Sequence, residues 1–283
     1  TARRYDLLWI EKEYLPWMPY WVERLAISGT PYVLDIDDAW TLRYETSRFS
    51  VVRRLLGDKF PRLVAGAALV FAANENLYRW ALAAGAKRVV ILPTVIDLGQ
   101  YPATIPPDGV FTIGWIGTPI TVKYLDEIAN ILRELAAEAP LTLLIIGAAG
   151  ASIPGVPCES VAWTAETEAL SIARCHVGIM PLPDDAWAAG KSGYKLIQYM
   201  AIGRPTMASA IGANNQIVID GQTGFLAKTD EDWGRGLRRL RDDPALARTM
   251  GEAGRARVAG HYCLDVTAPV LVAGIKDSLG NIG

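Results

Sequence analysis

Positive charge in excess is missing from this sequence: 28 lysines and arginines stand against 30 aspartates and glutamates, for a net charge of −2. Gripping nucleic acid means neutralising a phosphate backbone, so this balance excludes a general nucleic-acid binder. Cysteine is scarce too. Cys158, Cys175 and Cys263 are far apart and odd in number, as expected of reduced core thiols in a cytoplasmic protein rather than a disulfide framework or metal cluster. The two histidines, His176 and His261, sit near neither each other nor a cysteine cluster, and His176, beside an apolar run, reads as structural. No apolar run approaches the ~20 residues of a membrane span. The opening residues, TARRYDLLWIEKEY, lack the apolar core of a signal peptide and do not begin with methionine, so the chain is expected to start after its native N-terminus.

What is present is the composition of a globular α/β protein, 51% apolar and 20% charged over 283 residues, enough for two domains. Short apolar runs at residues 5–11, 31–38, 68–74 and 88–93 read as buried parallel strands. Helical patterns lie between them at 18–28, 48–65 and 75–84, the last closed by Gly85. This alternation means βαβ units. Residues 101–109, rich in proline, read as a linker. The pattern then restarts with a strand at 111–117, one long helix at 122–139 and a strand at 141–147. Further strands are expected near Val161, at 177–182, 205–209 and 224–228, and helices from Asp230 onward. Arg235, Arg238, Arg239, Arg241, Arg255 and Arg257, mixed with acids there, read as a solvated face.

The chain is organised around Val177–Met200, VGIMPLPDDAWAAGKSGYKLIQYM, a strand, a polar glycine-bearing loop and a helix start. Such a junction suits a phosphate, because a helix N-terminus offers unpaired N–H groups and a favourable dipole. Candidate residues here are Asp184, Asp185, Lys191, Ser192, Gly193, Lys195 and Gln198. The lysines oppose the helix dipole unless an anion is bound or they point to water. Gly117, Thr118 and Lys123 follow another strand, where glycine admits a phosphate and lysine supplies charge. Asn214, Asn215 and Gln216 could bind sugar hydroxyls or cap a helix. Asp35, Asp37 and Asp38 crowd one strand end; Asp35 and Asp37 share a face and could ligate a divalent cation, orient a hydroxyl, or cap the next helix. The aromatic run Tyr14–Trp21 lacks the cations that anionic lipids attract and reads as core packing or a subunit contact.

These stretches together resemble the family 4 retaining glycosyltransferases, in particular the bacterial branch with a KLIQYMA-type motif. The resemblance rests on IGWIGTPITVKYL (113–125), VGIMPLPDDAWAAGKSGYKLIQYMAIGRPTMAS (177–209) and GANNQIVIDGQTGFLA (212–227), with YVLDIDDAW, FAANENLYRWA and VVILPTVIDLGQYP in the first half. It implies a GT-B fold, two Rossmann-like α/β domains with parallel sheets facing across a cleft. The expected boundaries are 1–105 for a shortened acceptor-side domain lacking the family's opening glycine-rich loop, 106–262 for the nucleotide-sugar domain, and 263–283 for a terminal helix packing back on the first. The family's arginine and lysine for the diphosphate correspond to Thr118 and Lys123, its paired glutamates to Gly190 and Gln198, and its N-domain histidine to Asp37. The resemblance therefore implies transfer of a sugar from a UDP- or GDP-sugar to a glycan, lipid-linked or small-molecule hydroxyl. No cofactor or metal is expected; Lys123 and Lys191 would stabilise the leaving diphosphate, and Asp37 or Asp38 would orient the acceptor. A nucleotide- or glycan-binding protein without turnover, or a sugar-nucleotide epimerase, are the alternatives. The expected location is cytoplasmic, with attachment at the inner face of a membrane as a variant.

Overall fold

The computed structural model describes residues 2–280. The chain forms two compact units, Thr1–Thr94 with Asp185–Ser192 and Thr267–Gly283, and Val95–Asp184 with Gly193–Val266.

The first unit is built on a four-stranded parallel sheet in the order β1 (Leu8–Glu11), β2 (Tyr32–Ile36), β3 (Leu69–Ala72) and β4 (Val89–Ile91). Its main core joins Ile10, Leu34, Ile36 and Val70 to Leu63, Val64, Leu77 and Ala81 from the covering helices. On the other face Val33, Leu69 and Phe71 meet Leu271 and Ile275 of the helix Leu264–Gly280. The single helix expected over 48–65 is in fact two, Ser50–Leu56 and Lys59–Gly66. Pro61 explains the break, since it has no N–H to offer the carbonyl of Gly57. Gly85 behaves as expected, closing Glu75–Ala83 at φ 91° with its N–H on the Leu82 carbonyl.

The second unit has a six-stranded parallel sheet ordered β10 (Gly224–Ala227), β9 (Thr206–Ser209), β8 (Val177–Met180), β5 (Phe111–Ile116), β6 (Leu141–Ile146) and β7 (Cys158–Val161). The first three strands in sequence run one way from the centre and the last three the other, the order of a dinucleotide-binding fold. The switch point lies between β5 and β8. The long helix expected at 122–139 begins instead as a 3₁₀ turn, Val122–Ile128, and becomes α-helical at Ala129–Glu138. Val122, Leu125 and Ile128 recur every three residues, a period that suits three residues per turn.

The stretch read as a linker falls within the second unit, where the fully buried Arg204 donates to the carbonyls of Thr104, Ile105 and Ala173. Burial lowers its pKa to about 10. The arginine series is not all solvated: Arg255 donates to the carbonyls of Tyr101 and Ala201, and Arg257 to those of Gln216 and Ile217.

Candidate active site

At the switch point β5 and β8 pair only through Ile113 with Val177 and Gly114 with Gly178, and then separate. The Tyr199 hydroxyl fills the gap, accepting from the Ile116 N–H at 2.8 Å and pointing its proton at the Ile179 carbonyl, 3.5 Å away. Gly178 makes this possible: a Cβ there would collide with the Tyr199 ring. The helix Tyr194–Ile202 is thus pinned beside the carboxyl end of β5, with Gly193 in the left-handed region (φ 73°) as its N-cap and no side chain capping it. Its first N–H groups are the kind that receive anions.

A cavity of about 310 Å³ opens at this point, between the ends of β5 and β6 and the helix. Four residues expected from the sequence line it: Gly117, Thr118, Lys195 and Gln198. The Lys195 ammonium lies 4.1 Å from the centre of the Trp115 ring. Gly117 admits it; a Cβ would lie 2.7 Å from that nitrogen and 2.5 Å from the indole edge. Cation, indole and glycine are therefore one packed unit.

Sequence reasoning missed the opposite wall, made by Trp163, Glu168 and Tyr194. Glu168 is 8% exposed and accepts from the Tyr101 hydroxyl and the Trp163 indole N–H. Burial, with the Glu168 carboxylate next in importance, drives the Tyr101 pKa well upward, so its proton stays in place. Gln198, 3% exposed, also reaches Tyr101. Trp163 keeps 51% of its surface open. The only sequence signal was a lone acid at a helix start and a tyrosine in a proline-rich stretch.

The other expected residues scatter. Lys123 is exposed on the 3₁₀ turn, its ammonium 5.6 Å from the Tyr124 ring, and does not line the cavity. Asp184 lines a separate recess of about 490 Å³ at the ends of β8, β9 and β10, with Ser209, Lys228 and Asp230. Asn214 is buried, its amide donating to the Ser209 carbonyl, while Asn215 is exposed and the Gln216 backbone receives Arg257.

Within the first unit a polar group forms at the ends of β1 and β2. Asp37 accepts from the Trp40 indole at 3.0 Å and lies 3.5 Å from Lys12, whose ammonium sits over the Trp40 ring. Burial raises the Asp38 pKa to about 6, against the pull of Lys191; the nearby Asp37 carboxylate pushes the same way as burial, and the Ser192 backbone donates to Asp38. Burial and then Asp37 and Glu11 raise Asp35 likewise to about 6. Among the described residues no group of three or more histidines, cysteines and acids is arranged to hold a metal. The loop Asp185–Ser192 belongs here. Asp185 caps Ala186–Ala189, Asn74 donates to the Gly190 carbonyl at 3.2 Å, and Trp187 meets Trp40 edge-on at 5.9 Å. Gly190 stands where the resembling family has a glutamate; packing explains it, because a Cβ would collide with Ala39.

The profile of the family "Glycosyl transferases group 1" matches residues 110–243. No curated protein matches the chain by sequence. Among solved structures the chain is similar to sucrose-phosphate synthase from Thermosynechococcus elongatus, with TM-score 0.77 at 16% identity over 98% of this chain and 75% of that one. It is also similar to Anabaena HepE in complex with UDP and glucose (0.73, 14%, 97% and 78%) and to a glycosyltransferase from Rickettsia africae (0.71, 14%, 99% and 79%). At such identities the likeness is one of fold, the GT-B class, which like this chain has two parallel sheets in α/β units.

Proposed function

We propose that this protein, which carries a group 1 glycosyl transferase domain over residues 110–243, moves a sugar from a nucleoside diphosphate donor to an acceptor hydroxyl with retention at the anomeric carbon. The observation that carries the reading is the cavity at the switch point, where an uncapped helix N-terminus and the Lys195 ammonium stand together over the end of β5. When the bond between the anomeric carbon and the β-phosphate oxygen breaks, both electrons stay on phosphate. A site for this reaction must receive that charge, and prearranged N–H groups with a cation do so at no reorganisation cost. Lys195 and the helix take the diphosphate in this reading, and no metal ion is required. Gln198 bonds a ribose hydroxyl, and the open face of Trp163 stacks on the base, UDP or GDP being the expected nucleotides. Asp37 and Asp38 orient the acceptor hydroxyl, and Lys191 moderates their charge.

A second reading, binding without turnover, draws on Gly190 and Thr118 where the resembling family has charged side chains. The deciding experiment is incubation with UDP-glucose and GDP-mannose, with and without a mixed sugar-acceptor set, followed by proton NMR. Transfer or slow hydrolysis giving the α-anomer first supports the transferase. Nucleotide binding with no release of sugar supports the second reading, and the β-anomer first contradicts retention.

A further inference from the structure

The helix Tyr20–Ile27 packs Ile27 into the core yet leaves two large apolar side chains outside. It buries Glu23, which is 0% exposed, and presents Trp21 and Leu25, 64% and 68% exposed, to solvent. Trp17 and Met18, 53% and 47% exposed, lie in the turn just before the helix, Trp17 with a left-handed backbone (φ 63°). Burial of the apolar stripe and exposure of the carboxylate would be the ordinary outcome. Glu23 is held inside by Lys59, also 0% exposed, whose ammonium lies 2.8 Å from Glu23 and 2.5 Å from Glu13. A buried ion group that turns indoles outward specifies an orientation, and contiguous exposed apolar surface marks an interaction site.

The occupant is indicated by charge. Beside the stripe lies Arg24, exposed, and the turn Ala2–Arg4 packs against the helix and brings Arg4, also exposed, alongside. Under the helix Trp21, Arg24 and Leu25 border a recess of about 680 Å³ walled by Tyr20 and Tyr32. The motif repeats in the same unit. Helix Ser50–Leu56 exposes Val51 and Leu55, and Phe49 before it, next to exposed Arg48, Arg53 and Arg54, with no acidic residue from Ser47 to Leu56. Both elements are moored to one ring: Tyr44 receives the Trp17 N–H at 3.0 Å and packs with Leu56 and Phe60. Indoles and aliphatic side chains flanked by arginines are the chemistry of an interfacial anchor on an anionic bilayer. The sequence alone argued the other way, because the run Tyr14–Trp21 itself holds no cation; Arg24 follows it on the helix, and the other arginines come from segments outside it.

We propose that the first unit binds the surface of a bilayer rich in anionic phospholipid, with Trp17, Met18, Trp21 and Leu25 entering the headgroup region and the arginines pairing with lipid phosphates. The inference is independent of the donor-site reading. The test is flotation of the full chain with vesicles of phosphatidylcholine alone and of phosphatidylcholine with 30% phosphatidylglycerol. Binding to the second, weaker at high salt, with a blue shift of tryptophan emission, is expected. Trp21→Glu/Leu25→Glu should lower partitioning at least tenfold, and Arg48→Glu/Arg54→Glu likewise, with thermal unfolding unchanged because the side chains are exposed. Leu170→Glu, an equally exposed apolar site in the second unit (69%), should bind as wild type. No flotation, equal binding to neutral vesicles, an unaffected Trp21→Glu/Leu25→Glu variant, or a stable dimer that the same variant dissolves would each overturn the proposal.

Discussion

Replacing Lys59 with methionine should destabilise the first unit more than any surface change. The ammonium is fully buried and meets Glu13 at 2.5 Å, Glu23 at 2.8 Å and the Leu15 carbonyl at 2.6 Å. Methionine fills similar volume but leaves two buried carboxylates, with only Arg43, 3.8 Å from Glu13, as a counter-charge. Removing one partner of a buried ion group costs about 3–5 kcal/mol, a large share of the roughly 5–15 kcal/mol that holds a domain together. The assay is urea unfolding followed by both circular dichroism and tryptophan fluorescence, since two units need not unfold together. A triple variant, Lys59→Met/Glu13→Leu/Glu23→Leu, removes every charge at once and should recover most of the loss, because a matched apolar set often does as well as a buried ion group. A loss below about 1 kcal/mol for Lys59→Met would refute the claim that this ion group orients the helix.

Gly117→Ala should weaken nucleotide binding and lower stability by about 1–3 kcal/mol, as its methyl forces the Trp115 ring and Lys195 apart; calorimetry and thermal melts would show both. Tyr199→Phe leaves the Ile116 N–H unpaired in the gap between β5 and β8 and should cost about 1–3 kcal/mol in urea unfolding, with weaker nucleotide binding as the helix loosens. Asp35 has a folded-state pKa raised from 3.8 to about 6, so its cost to stability is absent below pH 4, grows as pH rises to 6 and is complete above it. Asp35→Asn should therefore stabilise at pH 7.5, with the gain shrinking between pH 6 and 4; a gain independent of pH would contradict the assignment.

Much of this was legible in the sequence. The apolar runs that became β1 to β10 are short and continuous, as strands buried on both faces must be, and the helix-start signal after Gly193 corresponds to the helix that walls the switch-point cavity. What stayed hidden depends on partners distant in the chain. Glu168 looked like an ordinary helix-start acid until Tyr101 and Trp163 closed on it. Arg255 was read as part of a solvated face, yet it and Arg204 hold Tyr101, Thr104 and Ile105 through carbonyls that no side-chain pattern reveals. Glu23 and Lys59 are 36 positions apart, and nothing in their local sequence marks the buried pair they form. Periodicity reports which face is apolar; it does not report which charge has been neutralised inside.

The most direct test of the account is titration of UDP and GDP into the wild type and the Lys195→Ala and Lys123→Ala variants by calorimetry, with and without Mg²⁺. The account predicts binding of one nucleoside diphosphate without the metal, weakened about 10- to 100-fold by Lys195→Ala, the loss of one charge-assisted hydrogen bond. Binding that is unchanged in Lys195→Ala, or that appears only with Mg²⁺, would contradict a diphosphate held by the lysine and helix N-terminus at the switch point.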